Sequence, residues 1–335
     1  MQYISYTVTN THYEFQQTSS WQNSDEDNSI KEQSFLKFYE ERALNEHNLR
    51  QSTRFCHLST LKHLARFAPD LQFKDLTYQF LIDFENYLLS IPLHKNTIAK
   101  HMKQLKRYLN SAIGQGLIDI RYHPFLNYKI QMEDTSKAYL TPEELNSIEQ
   151  LPLHSCHGLG RCRDIFLFSC YTGLRFSDIV RLSKKDIQKI DNIWWLTFPT
   201  QKTEIIVRLP LSLLSEGKAL PIIRKYKSNK NETLFNLSKN SNSNINKLLK
   251  TLAHMAHIDK KISFHSARHT FATLLLYKGA QITTVQRLLG HKSIRTTEIY
   301  SAIMDMTVIR DLKTVKKTNK TKNKISQLNK TVNQF

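Results

Sequence analysis

The chain is short of acidic residues, has little cysteine, and contains no long apolar run. Aspartate and glutamate number 29 against 48 lysines and arginines, giving a formal net charge of +19 and a pI near 9.7. Such an excess points to a polyanionic partner, attracted through its phosphates and bound with release of their counterions. A basic surface could also meet an anionic membrane, but no stretch of about 18 apolar residues and no basic amphipathic anchor is present. The N-terminal Met1-Gln-Tyr-Ile-Ser-Tyr6 lacks the basic start and apolar core of a signal peptide, so the expected location is cytoplasmic. None of the four cysteines, Cys56, Cys156, Cys162 and Cys170, sits in a C-x-x-C pair. His154, Cys156, His157 and Cys162 lie close together, but their spacing matches no standard zinc finger. The cysteines therefore read as free cytosolic thiols, and neither a metal nor a cofactor is expected.

At 335 residues the chain has room for two domains of roughly 100–200 residues each. Residues 1–30 are polar and aperiodic and read as a mobile tail. Residues 31–130 carry helical patterning without a convincing strand, with helices expected near 31–47, 51–67, 75–90 and 95–114. The last is the clearest: Ile98, Met102, Leu105, Leu109 and Ile113 recur as one apolar stripe, with Lys100, Lys103 and Arg107 on the opposite face. That basic face is either a solvated surface or a surface laid on DNA phosphates, and the charge of the whole chain favours the second. Residues 131–139 form a polar linker. A second domain, 140–312, then opens at Thr141-Pro142-Glu143-Glu144, where threonine suits an N-cap, proline the first helical turn and Glu144 a capping box.

This second domain is expected to be mostly helical with one β element. Strands are read over 186–190, 193–199 and 204–209, with Asn192 in the first turn and Lys202 at the second. Helices follow near 213–227, 241–257, 265–278, 281–289 and 302–312, and residues 313–335 form a basic disordered tail. The fold class is mainly α with a small antiparallel β-sheet.

One set of basic residues runs through this domain and ends in a tyrosine. It comprises Arg175 in Thr172-Gly173-Leu174-Arg175, Lys202 in Gln201-Lys202-Thr203, His265 and Arg268 in His265-Ser-Ala-Arg-His269, His291 after Leu289-Gly290, and Tyr300 nine residues later. Two arginines, a lysine and two histidines can surround one phosphate, and a tyrosine can attack it. Taken singly, each has a plainer reading. Arg175 can simply pair with Asp178, His265 and Arg268 can be a surface pair one helical turn apart, and Tyr300 can be core. His265 and His269 have the i,i+4 spacing of a zinc site, but Ser266 stands where the His-Glu-x-x-His pattern needs glutamate.

The run from Phe264-His-Ser-Ala-Arg-His through Leu-Leu-Gly-His291 to Glu-Ile-Tyr300, with Tyr171-Thr-Gly-Leu-Arg-Phe-Ser-Asp178 and the hairpin lysine Lys202, resembles the tyrosine recombinases, or phage integrase family. The likeness covers residues 140–312 closely and 31–130 more loosely, and its wording is nearest to Bacteroidetes-type recombinases of mobile elements. It implies a helical SAM-like core-binding domain and a mixed α/β catalytic domain closing as a clamp on double-stranded DNA. It also implies catalysis by Arg175, Lys202, His265, Arg268, His291 and Tyr300 through a 3′-phosphotyrosyl intermediate, which conserves bond energy without ATP. A homotetramer on paired sites, monomeric when free, is implied as well. The cationic pocket is expected to ease ionisation of Tyr300. With about 30 residues before the first helical region, an additional arm-binding domain is not expected, which favours a simple recombinase or DNA invertase. A type IB topoisomerase and a non-catalytic DNA-binding protein are the alternatives.

Overall fold

A computed structural model of the chain describes residues 33–46, 48–134, 137–153, 157–227, 232–238, 241–298 and 300. The tail 1–30, His154, Cys156, the helix expected at 302–312 and the basic tail 313–335 lie outside the described residues. The chain divides into two compact units, Met1–Thr135 and Ser136–Phe335. No helix among the described residues is long and apolar enough to cross a membrane.

The first unit holds α1 (Phe35–Asn45), α2 (Gln51–Phe67), α3 (Tyr78–Ser90) and α4 (Lys95–Gly114). As the spacing on α4 predicts, Ile98, Met102, Leu105 and Leu109 are buried, while Lys100, Lys103 and Arg107 are exposed. The stripe packs on Phe35, Tyr39, Leu64, Phe84 and Leu88. The core is not wholly apolar. The Thr60 hydroxyl bridges His101 Nδ1, at 2.7 Å, and Gln104 Oε1, and His57 Nδ1 meets the Tyr108 hydroxyl at 2.7 Å. Burial, then the neighbouring His63 and Lys100, pushes His101 down to about 4, so the ring is held neutral and serves the hydrogen-bond network.

The second unit is built on a buried helix. Helix α5 (Pro142–Glu149) starts with the capping box expected at Thr141: its hydroxyl accepts from the Glu144 N–H at 3.2 Å, and Glu144 Oε2 accepts from the Thr141 N–H at 2.8 Å. Helix α6 (His157–Thr172) follows and buries Ile165, Phe166, Phe168, Cys170 and Tyr171 on several sides at once. After α7 (Phe176–Arg181) come β1 (Ile187–Ile190), β2 (Ile193–Pro199) and β3 (Ile206–Pro210), an antiparallel sheet in that order. Asp191 and Asn192 take φ of 47° and 63° in the β1–β2 turn, a left-handed pair matched to a tight hairpin. Leu196, Phe198, Val207 and Leu209 alternate inward against the core, with Leu196 paired to both Ile187 and Leu209.

The helix expected over 213–227 is interrupted. Ser215 and Glu216 adopt left-handed φ of 47° and 58°, so a short 3₁₀ turn (Leu214–Gly217) precedes α8 (Ala219–Lys227). Helices α9 (Ser241–Met255), α10 (Phe264–Tyr277) and α11 (Ile282–Leu289) complete the unit, with α10 packed along α6 and α11 against β3.

The Thr60 network yields a stability prediction. Thr60→Val keeps the volume but leaves His101 and Gln104 with a lost partner in the interior, and should cost about 1–3 kcal/mol in urea unfolding. A loss below about 0.5 kcal/mol would mean that the two side chains re-pair or reach water.

Candidate active site

The second unit brings the basic residues and the tyrosine together at the ends of α6, α10 and α11. Gly173 makes the first turn possible. Its φ is +71°, and a Cβ there would lie 2.5 Å from the Phe271 ring and 2.9 Å from Leu289. Arg175 follows as the extended N-cap residue of α7. Arg268 projects from α10 into the same region and is almost wholly buried, at 2% exposure. Its guanidinium donates to the Gly173 carbonyl at 2.7 Å and the Leu289 carbonyl at 2.6 Å, so one side chain joins α10 to the ends of α6 and α11.

Asp178 organises the other side. Its Oδ2 lies 3.8 Å from Arg175 Nη1, and its Oδ1 accepts from the Gln201 backbone N–H at 2.8 Å. The neighbour of Lys202 is thereby tied to the arginine's helix. Thr203 hydroxyl donates to the Gly290 carbonyl at 3.0 Å and shares a hydrogen bond with Thr200 at 2.7 Å. The turn bearing Lys202 is thus fastened at one side to Asp178 and at the other to the residue before His291. Lys202 itself is exposed. Gly290, at φ +63°, ends α11 in the left-handed conformation and packs where a Cβ would come 2.9 Å from Val207. His291 Nδ1 meets the Thr297 hydroxyl at 2.9 Å, and the Thr297 carbonyl accepts from the Tyr300 N–H at 3.1 Å.

Tyr300 is 5% exposed. Its hydroxyl lies 3.1 Å from Nδ1 of His269, and the ring of His269 stands edge-on to that of His265 with centroids 4.7 Å apart. Sequence reasoning weighed His269 only as half of a zinc pair. Lys137, just before α5, is also close enough to act electrostatically on His265 and His269. A linker lysine carries no periodic signal by which sequence could have singled it out.

The electrostatics are those of crowded positive charge. Burial, then Arg175, lowers Arg268 to about 9, against the opposing pull of Tyr300 and Asp178. Arg175 is also lowered, by burial, with Asp178 and Tyr300 opposing. Arg175 Nη1 and Asp178 Oδ2 are both buried without a hydrogen-bond partner, an arrangement that a hydrogen-bond acceptor of high negative charge would relieve at the arginine. His265 is exposed at the rim, yet shielding by protein and then Arg268, Arg175, Lys137 and Lys202 hold it at about 4. Burial and the neighbouring cations likewise bring His269 to about 4 and His291 to about 3. For Tyr300 the outcome differs from expectation. Arg268 and Arg175 do favour its ionised form, but burial outweighs them and the hydroxyl is raised above its usual value.

On α4, Lys100 Nζ lies 3.0 Å from Cys56 Sγ, Lys103 Nζ lies 2.7 Å from Met132 Sδ, and Arg107 pairs with Glu46. All three cations are exposed, and Arg107 is partly neutralised by that ion pair.

The three neutral histidines of the second unit predict a pH dependence. Their unfolded values are about 6.5. Between about pH 6.5 and 4 the unfolded chain therefore binds protons that the folded chain does not, and stability falls as pH falls. The thermal midpoint of the DNA-free protein should drop between pH 7 and 4.5, and more steeply than in a His265→Asn/His269→Asn/His291→Asn variant. Parallel profiles would show the three rings to be solvated.

A sequence profile described as the phage integrase family matches residues 138–306, and one described as the phage integrase SAM-like domain matches residues 34–130. A tyrosine recombinase of Thermosipho africanus is 27% identical over 220 residues, covering 63% of this chain and 73% of its own. The tyrosine recombinase XerC of Rickettsia typhi is 26% identical over 289 residues, covering 80% and 92%. A lambda integrase tetramer bound to a Holliday junction has a similar fold, with a TM-score of 0.66 at 20% identity over 84% of this chain and 82% of that one. The Tn1549 transposon integrase in complex with a circular intermediate DNA gives a TM-score of 0.65 at 18% identity, over 80% and 94%.

Proposed function

The chain belongs to the phage integrase family, and on that premise we propose how its residues perform the family's reaction. The protein is a tyrosine-type site-specific DNA recombinase, which cuts and rejoins strands through a tyrosine-linked intermediate. The observation that carries the assignment of residues is one junction of the second unit: Arg268 ties the turn before Arg175 to the helix end before His291, and the Tyr300 hydroxyl meets the neighbouring residue of the same helix, His269.

In the proposed sequence a DNA phosphodiester enters the arginine cradle. Its non-bridging oxygens satisfy the unpaired Nη1 of Arg175 and receive charge-assisted hydrogen bonds from Arg268. His291, with Nδ1 held by Thr297, donates from its other ring nitrogen. Tyr300 Oη gives up its proton, with the neutral His265 at the rim as acceptor, and forms a bond to phosphorus, and the bond from phosphorus to the 5′ oxygen breaks. Lys202 at the hairpin turn protonates that leaving oxygen, and His265 at the rim assists proton transfer. The product is a 3′-phosphotyrosine and a free 5′ hydroxyl. Attack by the 5′ hydroxyl of a partner strand reverses the step on a new duplex and restores Tyr300.

In this reading residues 31–130 form the core-binding domain, with Lys100, Lys103 and Arg107 on phosphates, and 140–312 the catalytic domain. Four protomers act on two duplexes in the cytoplasm. The lambda integrase tetramer on a Holliday junction supports that assembly by likeness of fold. The wording of residues 264–300 favours a Bacteroidetes-type mobile element as the setting, with integrase or DNA invertase as the proposed role.

Two substitutions test the roles. Tyr300→Phe should bind DNA within about twofold of wild type yet form no covalent adduct on a nicked duplex, since the attacking oxygen is gone. An adduct in that variant would place the nucleophile elsewhere. Lys202→Ala should slow cleavage roughly 100-fold or more, the usual scale of general-acid catalysis. A 5′-bridging sulfur, which leaves without a proton, should restore most of the rate, and absence of rescue would remove Lys202 from that role. Supercoil relaxation without junctions between paired sites would favour a type IB topoisomerase, and binding without any adduct a non-catalytic protein.

A further inference from the structure

Tyr300 and His269 are both buried, and their polar atoms meet at 3.1 Å across a separation of 31 residues in the chain. The rings are also in contact, with centroids 5.4 Å apart and an interplanar angle of 58°. His265, the histidine that the sequence pattern selects, is exposed at the rim and touches the ring of His269. The nucleophile is therefore gripped by a residue outside the six expected for the reaction.

We propose that His269 is the positioning residue for the nucleophile, its Nδ1 holding the Tyr300 hydroxyl at the mouth of the arginine cradle. This deepens the recombinase reading and rests on it. Three features fit. First, α10 fixes the His269 backbone one residue from Arg268, whose guanidinium is anchored on Gly173 and Leu289. The nucleophile and the phosphate-binding arginine are thus referenced to the same rigid helix. Second, the nearest described anchor on Tyr300's own segment is its N–H bond to the Thr297 carbonyl, within a short 3₁₀-like stretch. Such a stretch sets the backbone but leaves the phenol to be oriented by what it touches. Third, His269 is held near pKa 4 and the Tyr300 hydroxyl is raised, so the pair is neutral at pH 7. A neutral pair in hydrogen-bond contact orients the phenol without placing charge on either ring.

The geometry separates two conservative replacements. The side-chain amide of asparagine lies near the position of imidazole Nδ1, whereas that of glutamine lies near Nε2. In single-turnover cleavage of a nicked duplex at saturating protein, His269→Ala should lower the rate of covalent adduct formation roughly five- to tenfold, the loss of one net hydrogen bond. Binding to the uncleaved duplex should stay within about twofold. His269→Asn should recover most of the rate, and His269→Gln should remain as slow as alanine. Wild-type rates in His269→Ala would overturn the proposal, as would failure of asparagine to exceed glutamine when both bind DNA normally. Wild type and Tyr300→Phe run alongside keep the two readings apart. An adduct in the first and none in the second upholds the recombinase assignment whatever the His269 series shows, whereas no adduct in wild type removes that assignment and this proposal together.

Discussion

The buried guanidinium of Arg268 is the constraint on which the site depends. It crosses from α10, almost wholly buried, to donate to two backbone carbonyls, those of Gly173 and Leu289. A charge buried in this way is costly unless it is hydrogen-bonded, and its lowered value of about 9 records that cost. In return the cation fixes the turn that launches Arg175 and the helix end that launches His291. Gly173 serves the same junction from the other side, since any side chain there would collide with Phe271 on α10. The packing that makes the core is thus also the packing that aims the cations.

Asp178 extends this frame to the sheet. One carboxylate oxygen approaches Arg175 and the other takes the Gln201 N–H, so a single buried acid spaces the first arginine from the hairpin turn. Asp178 faces both buried arginines, and one carboxylate does not neutralise two guanidinium groups. Positive charge remains for a ligand that brings its own negative charge and hydrogen-bond acceptors, which a phosphodiester does. Burial of Tyr300 belongs to the same balance. The arginines favour the phenolate, but in the free protein desolvation wins and the Tyr300 hydroxyl stays protonated.

Much of the fold was legible because local signals agreed with the global ones. The α4 stripe, the Thr141 capping box, the Asp191-Asn192 turn and the glycine end of α11 each carry a short-range physical cause. Helix α6 carries none of that kind. It is buried on several sides, so it lacks the polar face that gives an amphipathic period, and no helix is read there from the sequence. The break at Ser215 and Glu216 was equally hidden, because neither residue announces a left-handed backbone. Within the site, the motif gave roles to the six expected residues, whereas His269 stood in the same run without one. Its i,i+4 relation to His265 shows that the two share a side of α10, whereas only the tertiary fold shows which ring meets Tyr300. Lys137 was missed for the same reason.

Of the chain's 14 tyrosines, Tyr300 alone is proposed to form the bond to DNA. Peptide mapping of the covalent complex tests it most directly. The wild-type protein is trapped on a nicked duplex, digested with protease and nuclease, and the nucleotide-bearing peptide is sequenced by mass spectrometry. The expected result is a phosphoryl-nucleotide on Tyr300, joined to the 3′ end of the cleaved strand. The same modification on any other residue, or linkage to a 5′ end, would contradict it.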